Sequence, residues 1–113
     1  MKIYHNPRCS KSRETLKIIQ AAGVEPEIVL YLQEPPNKAE LESVLSKLGI
    51  SARQLLRKGE DAYKDNNLAD ENLTESQLVE FMIKYPKLIE RPIVVKGEQA
   101  VLGRPPENVT ALL

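Results

Sequence analysis

The chain contains a single cysteine and a single histidine among its 113 residues. One thiol cannot close an internal disulfide or build a thiolate-only metal site, and one imidazole adds little to the ligand supply. A disulfide framework and a zinc centre are both excluded, and no residue is assigned to a metal. An excess of either charge is missing too, because 16 basic residues cancel 16 acidic ones. Non-specific phosphate binding needs a basic face, so nucleic acid is not expected as a partner, and any affinity for anions must be local. No apolar run approaches the roughly 20 residues that span a bilayer. The opening "MKIYHNPR" lacks the apolar core and small-residue cleavage site of a secretory signal. The expectation is a cytoplasmic protein that makes no membrane contact. Repeats, low-complexity tracts and linkers are also absent, so residues 1–113 read as one domain, long enough to close one hydrophobic core.

What is present is an ordered set of short periodic segments. Lys2 to His5 are strand-like, and Asn6-Pro7 breaks the run because proline fixes φ and biases the residue before it away from helix. A helix then starts near Cys9, carrying Leu16, Ile19 and Gly23 along one face with Ile18 and Ala22 beside them, and Gly23 is its natural stop. The continuous run Ile28-Val29-Leu30 predicts a strand covered on both faces, paired in parallel with the first. Asn37 with Glu40 opens a helix bearing Leu41, Val44, Leu45 and Leu48 at i, i+3, i+4, i+7 spacing, ended by Gly49. Ser51 caps a second short helix, with Ile50 and Leu55 as a staple across it and an end around Arg57 to Gly59. After a polar stretch, Thr74 with Gln77 caps a third helix carrying Leu78, Phe81, Met82 and Tyr85, which Pro86 stops. "RPIVV", a turn at Gly97 and "AVLG" predict an antiparallel hairpin, and "RPPENVTALL" a short closing helix. The helical stretch from about 37 to 85 reads as an insertion between two halves. The resulting class is α/β with a mixed four-stranded sheet, in the element order of the thioredoxin-type fold.

That order gives the lone thiol a chemical setting. If the first strand runs toward Cys9, an antiparallel neighbour starting at Arg91-Pro92 begins at the same end of the sheet, and its hairpin partner returns Arg104 there. At the first turn of a helix, Cys9 faces unpaired backbone N–H groups and the positive end of the macrodipole, both favouring thiolate over thiol. Arg8, Lys11 and Arg13 add positive charge, and the hydroxyls of Ser10 and Ser12 can donate hydrogen bonds to sulfur. The same features bind a tetrahedral oxyanion, and two arginines can fork onto its oxygens and hold them for in-line attack. Free cysteines are often inert core residues, but one flanked by Arg8, Ser10, Lys11, Ser12 and Arg13 does not fit a core. Other assignments stay open on these grounds. His5 can orient Asn6 or the Cys9 loop, or merely satisfy a carbonyl. Arg91 and Arg104, each before a proline, equally suit solvated strand ends. Arg57 suits a helix C-terminus as a cation complementing the dipole, and Pro92 can be cis or trans.

Four blocks, "YHNPRCSKSRETL", "GISARQLLRK", "LIERPIVV" and "LGRPPE", resemble in order and spacing the glutaredoxin-coupled arsenate reductases, over nearly the whole chain. The resemblance implies a thioredoxin-like fold with a helical insertion and an oxidoreductase of arsenic detoxification. In that chemistry the cysteine matching Cys9 attacks arsenate to give a thiol-arsenate adduct, glutathione displaces it, and glutaredoxin completes reduction to arsenite. It places Arg57, Arg91 and Arg104 on the oxyanion and gives His5 a role assisting the cysteine; Ser12, read above as a hydroxyl donor at the turn, is expected on the substrate as well. Arsenate, glutathione and glutaredoxin are the partners expected of a monomer. Glutathione is a co-substrate, and no cofactor is tightly bound. A related branch of redox regulators binds RNA polymerase and carries a Cys-x-x-Cys switch, whose second position is Ser12 here. Without that resolving thiol an external one must finish any turnover. The two rival readings are a monothiol protein exchanging glutathione on mixed disulfides and a non-enzymatic adaptor on RNA polymerase.

Overall fold

The computed structural model describes residues 1–113, which divide into two compact units, Met1–Glu34 with Arg91–Leu113, and Pro35–Glu90. In the first unit, β1 (Lys2–Tyr4) leads to α1 (Ser10–Ala21) and β2 (Glu27–Val29). Later in the chain β3 (Ile93–Lys96), β4 (Gln99–Leu102) and a closing 3₁₀ helix (Pro106–Leu112) complete it. The sheet order is β2-β1-β3-β4. β1 pairs in parallel with β2, matching Tyr4 to Val29, and antiparallel with β3, matching Tyr4 to Ile93; β3 and β4 form the hairpin, Ile93 opposite Leu102. The mixed four-stranded sheet is the one expected, and Gly97 turns the hairpin at φ +59°, a conformation open to glycine without penalty.

Ile3, Ile19, Val94 and Val109 are wholly buried and form the core of this unit with Leu112. Each such side chain contributes about 1.5–3 kcal/mol by leaving water. α1 ends in a Schellman arrangement: Gly23, at φ +81°, donates to Gln20 O at 2.9 Å, and Val24 donates to Ile19 O at 3.3 Å. The closing segment is 3₁₀ throughout, burying Pro106, Val109 and Leu112. That spacing of three fits its three residues per turn.

Two expectations fail here. β2 is an edge strand, with Ile28 44% and Leu30 38% exposed. Its apolar run carries β propensity without double-sided burial, which periodicity cannot distinguish. In α1 the buried face is Ser12, Thr15 and Ile19, while Leu16 and Ile18 are only partly covered and Gly23 is exposed.

The second unit holds α2 (Lys38–Leu48), α3 (Ala52–Leu55), α4 (Asp61–Asp65), α5 (Glu75–Lys84) and a 3₁₀ turn (Pro86–Leu88). Asn37 caps α2 by accepting from Glu40 N at 2.9 Å. Ser51 with Gln54, and Thr74 with Gln77, form complete capping boxes. Leu41, Val44, Leu45, Leu55, Leu78 and Met82 are buried. α3 stops at Leu55, earlier than predicted, because Leu56 leaves the helix to bridge Ile89 and Arg57 N donates to Leu88 O at 2.8 Å. α4 was not predicted; it buries no residue and so leaves no apolar period to read. No helix is long and apolar enough to cross a membrane.

Candidate active site

β1 delivers His5 to the sheet's end, where its N–H extends the ladder to Val29 O at 2.8 Å. The chain then turns on Asn6. The Asn6 carbonyl accepts from Cys9 N at 3.0 Å, and its side-chain oxygen accepts from Arg8 N at 3.0 Å. Cys9 is thereby set as the N-cap of α1 in extended backbone, φ −94° and ψ 122°, with its carbonyl accepting from Arg13 N at 3.0 Å. Its thiol makes no capping bond and no acidic residue lies in the first turn, so the positive end of the helix is not offset locally. Cys9 is 9% exposed, while Arg8, Ser10, Lys11 and Arg13 around it are exposed. The Arg13 guanidinium donates to Pro7 O at 3.0 Å and pins the turn from outside.

Beneath the turn lies a polar cluster. Ser12 is completely buried, and its hydroxyl lies 2.6 Å from His5 Nδ1 and accepts from Asn6 N at 3.0 Å. In this structure the Ser12 hydroxyl is turned onto the imidazole and the Asn6 N–H. His5 is 6% exposed. Burial, and then the charge of Arg13, lower its pKa from the ordinary value, which keeps the ring neutral at pH 7. Of the readings left open for His5, the structure shows a link to Asn6 through the Ser12 hydroxyl on α1.

The register carries the arginines to the same end of the sheet. Ile93 and Leu102 both align with Tyr4, so the residues before β3 and after β4 emerge where β1 runs out. Arg104 Nη1 donates to the Arg91 carbonyl at 3.1 Å, and both arginines are half-buried. The Nε and Nη1 atoms of Arg91 are buried. The Arg91–Pro92 and Arg104–Pro105 peptides are both cis. Gly103, which the sequence marks only as a strand end, allows the approach. A Cβ there would overlap Thr15 Oγ1 and come within 2.7 Å of Pro92 Cγ. Thr15, fully buried on α1, donates to Lys11 O at 2.8 Å. Asn6, Thr15 and Gly103 are the positioning residues that sequence reasoning missed. The one available signal was two small hydroxyl residues, Ser12 and Thr15, on the helical face that also carries Ile19.

Arg57 belongs to the second unit. It follows α3 instead of ending it, and its guanidinium pairs with Glu60 at 3.4 Å and Glu90 at 3.5 Å.

This arrangement brings a single sulfur to a helix N-terminus beside a sheet edge that carries two arginines, a setting suited to covalent attack on a small oxyanion. Comparison with known proteins agrees in extent. An uncharacterized Escherichia coli K12 protein, YfgD, is 55% identical, the match covering all of this chain and 96% of that one. A Haemophilus influenzae protein named arsenate reductase is 46% identical over 98% of this chain and 97% of its own. The solved arsenate reductase from Vibrio cholerae superimposes with a TM-score of 0.96 at 46% identity, covering 99% of this chain and 96% of that one. The ArsC family matches residues 4–112, and the chain belongs to that family.

Proposed function

We propose that this chain is an arsenate reductase that works through Cys9, with glutathione and glutaredoxin as the electron source. The observation that carries the reading is the common end of β1, β3 and β4, which sets Arg91 and Arg104 at the edge from which the Cys9 turn departs. Arsenate resembles phosphate, with a charge of about −1.5 to −2 near neutral pH, and guanidinium groups bind such oxygens by charge-assisted hydrogen bonds. In the first step the Cys9 thiolate attacks arsenic, a sulfur–arsenic bond forms, and one arsenate oxygen leaves as water after taking up protons. In the second, two thiols supply two electrons. Glutathione condenses with the adduct, forming a second sulfur–arsenic bond as another oxygen leaves as water. The glutaredoxin thiolate then takes the glutathionyl sulfur as a mixed disulfide, leaving the electron pair on arsenic, and water hydrolyses the remaining Cys9–arsenic bond to release arsenite and restore the thiol.

Phosphate binds in the same cradle and does not turn over, because phosphorus is not reduced by thiols. The resemblance assigns Arg57 to the oxyanion as well, and that role rests on the likeness alone. Ser12 in place of a second cysteine leaves no partner for a local disulfide, so the reductant is external. A cytoplasmic location goes with this reading, since thiols are kept reduced there. A monothiol exchanging glutathione on disulfides has no use for the arginine pair, which favours the oxyanion reading over that rival. The test is arsenate reduction coupled to glutathione and glutaredoxin. Robust turnover that Cys9→Ser abolishes is expected; wild-type activity no greater than that of Cys9→Ser overturns the proposal.

A further inference from the structure

Ser12 and His5 form a closed hydrogen-bonding unit beneath the Cys9 turn. A serine hydroxyl has one proton to give and two lone pairs to accept with. In Ser12 one lone pair is taken by Asn6 N–H at 3.0 Å, and the remaining neighbour is His5 Nδ1 at 2.6 Å. The side chain is completely buried, so water is not available to its proton. If Nδ1 carried the hydrogen, two donors would point at the Ser12 oxygen and its own O–H would be left buried with no acceptor, an arrangement folded proteins avoid. With the proton on Ser12 and the lone pair on Nδ1, every group is satisfied.

We infer that Ser12 is a positioning residue that holds His5 as the neutral Nε2–H tautomer, so that His5 serves the reaction as a hydrogen-bond donor and not as a base. A ring whose Nδ1 is occupied by a serine proton has only Nε2–H to offer. The lowered pKa of His5, from burial and then Arg13, agrees with this, since protonating Nδ1 would turn the Ser12 proton away from its only acceptor. In the proposed reaction such a donor stabilises developing negative charge on sulfur or on an arsenate oxygen, a task it shares with the backbone N–H groups at the N-terminus of α1.

The assignment of a role in the reaction rests on the arsenate reductase reading, while the tautomer does not, and the experiment separates them. The chain has one histidine, so ring-nitrogen NMR of the ¹⁵N-labelled protein near neutral pH reports one imidazole without ambiguity. The expected spectrum has Nε2 protonated and Nδ1 bare in the wild type, with a rise of the Nδ1–H form in Ser12→Ala. A wild-type ring protonated mainly on Nδ1 overturns the inference, and so does an unchanged tautomer in a folded Ser12→Ala. Should that variant fail to fold, the wild-type spectrum still decides. In the coupled arsenate assay, Ser12→Ala is expected to lose about tenfold in kcat/KM, the equivalent of one neutral hydrogen bond. His5→Gln, which keeps an N–H₂ donor, is expected to retain more activity than His5→Ala, and equal loss in the two overturns the donor role. An inactive wild type sinks the reductase reading and leaves the tautomer standing.

Discussion

Replacing Gly103 with alanine tests whether close packing between the end of β4 and α1 sets the site. The backbone at Gly103 does not need the left-handed region, so the cost is steric. The added methyl overlaps Thr15 Oγ1, sits 2.7 Å from Pro92 Cγ and 3.1 Å from Thr15 Cγ2. Thr15 has no room to give way, because it is fully buried and its hydroxyl is already bonded to Lys11 O. Overpacking of this kind costs about 1–3 kcal/mol. For a chain of this size, a loss near ~2 kcal/mol lowers Tm by about 8 °C. The assay is thermal unfolding of Gly103→Ala, Thr15→Ala and the double variant. Thr15→Ala removes both threonine contacts and leaves only Pro92, so the double variant should be less destabilised than the sum of the singles by about 1 kcal/mol. Arg104 is the next residue, and its bond to the Arg91 carbonyl should lengthen, lowering kcat/KM for arsenate more than it affects folding. A Tm within about 2 °C of wild type, or strict additivity in the double variant, would refute the argument that this glycine sets the spacing.

Three further outcomes are expected. Arg104→Lys keeps the charge but loses the planar fork, so kcat/KM in the coupled arsenate assay should fall about 10- to 100-fold, the worth of one charge-assisted contact; undiminished activity would remove Arg104 from the oxyanion. The lowered pKa of His5 means that the unfolded chain takes up this proton first, so its contribution to stability is complete above the ordinary value of 6.5 and declines as pH falls toward the lowered folded value. Thermal unfolding of wild type and His5→Gln between roughly pH 7.5 and pH 5.5 should show a smaller loss in the variant. Thr74→Ala breaks the capping box of α5, and its urea midpoint should drop by the equivalent of about 1 kcal/mol with the m-value unchanged.

The parts of the fold legible in the sequence are those written in local chemistry. Proline after Asn6, glycine at 23, 49 and 97, and the Ser51 and Thr74 boxes each act within a few residues, and each marks an element boundary in the structure. The sheet order followed because one crossover and one hairpin leave few ways to pair four strands. What escaped depends on partners distant in sequence. Nothing in Ile28-Val29-Leu30 records that β2 has a neighbour on one side only. α4 buries nothing and so leaves no stripe, and α3 ends where Leu56 finds Ile89, 33 residues away. The arrival of the Cys9 turn, Arg91 and Arg104 at one end of the sheet was legible from strand direction. The contact of Ser12 with His5 was not legible, since its charged neighbours suggest an exposed turn while that contact depends on the packed fold.

Ser12 also bears on why the chain needs an outside reductant. It occupies the position three residues after the nucleophile, where a Cys-x-x-Cys protein carries the thiol that closes a disulfide on Cys9. In this structure that side chain is wholly enclosed and committed to His5 and to the Asn6 N–H. A thiol there would break the unit that holds the Cys9 turn, and the weak S–H donor would not replace the short bond to Nδ1. The position is therefore used to support the nucleophile, and the second sulfur has to arrive from solution. A site organised in this way reacts at one sulfur and cannot resolve its own adduct, so without added thiol it should stop before completing a turnover, with arsenate still bound to Cys9.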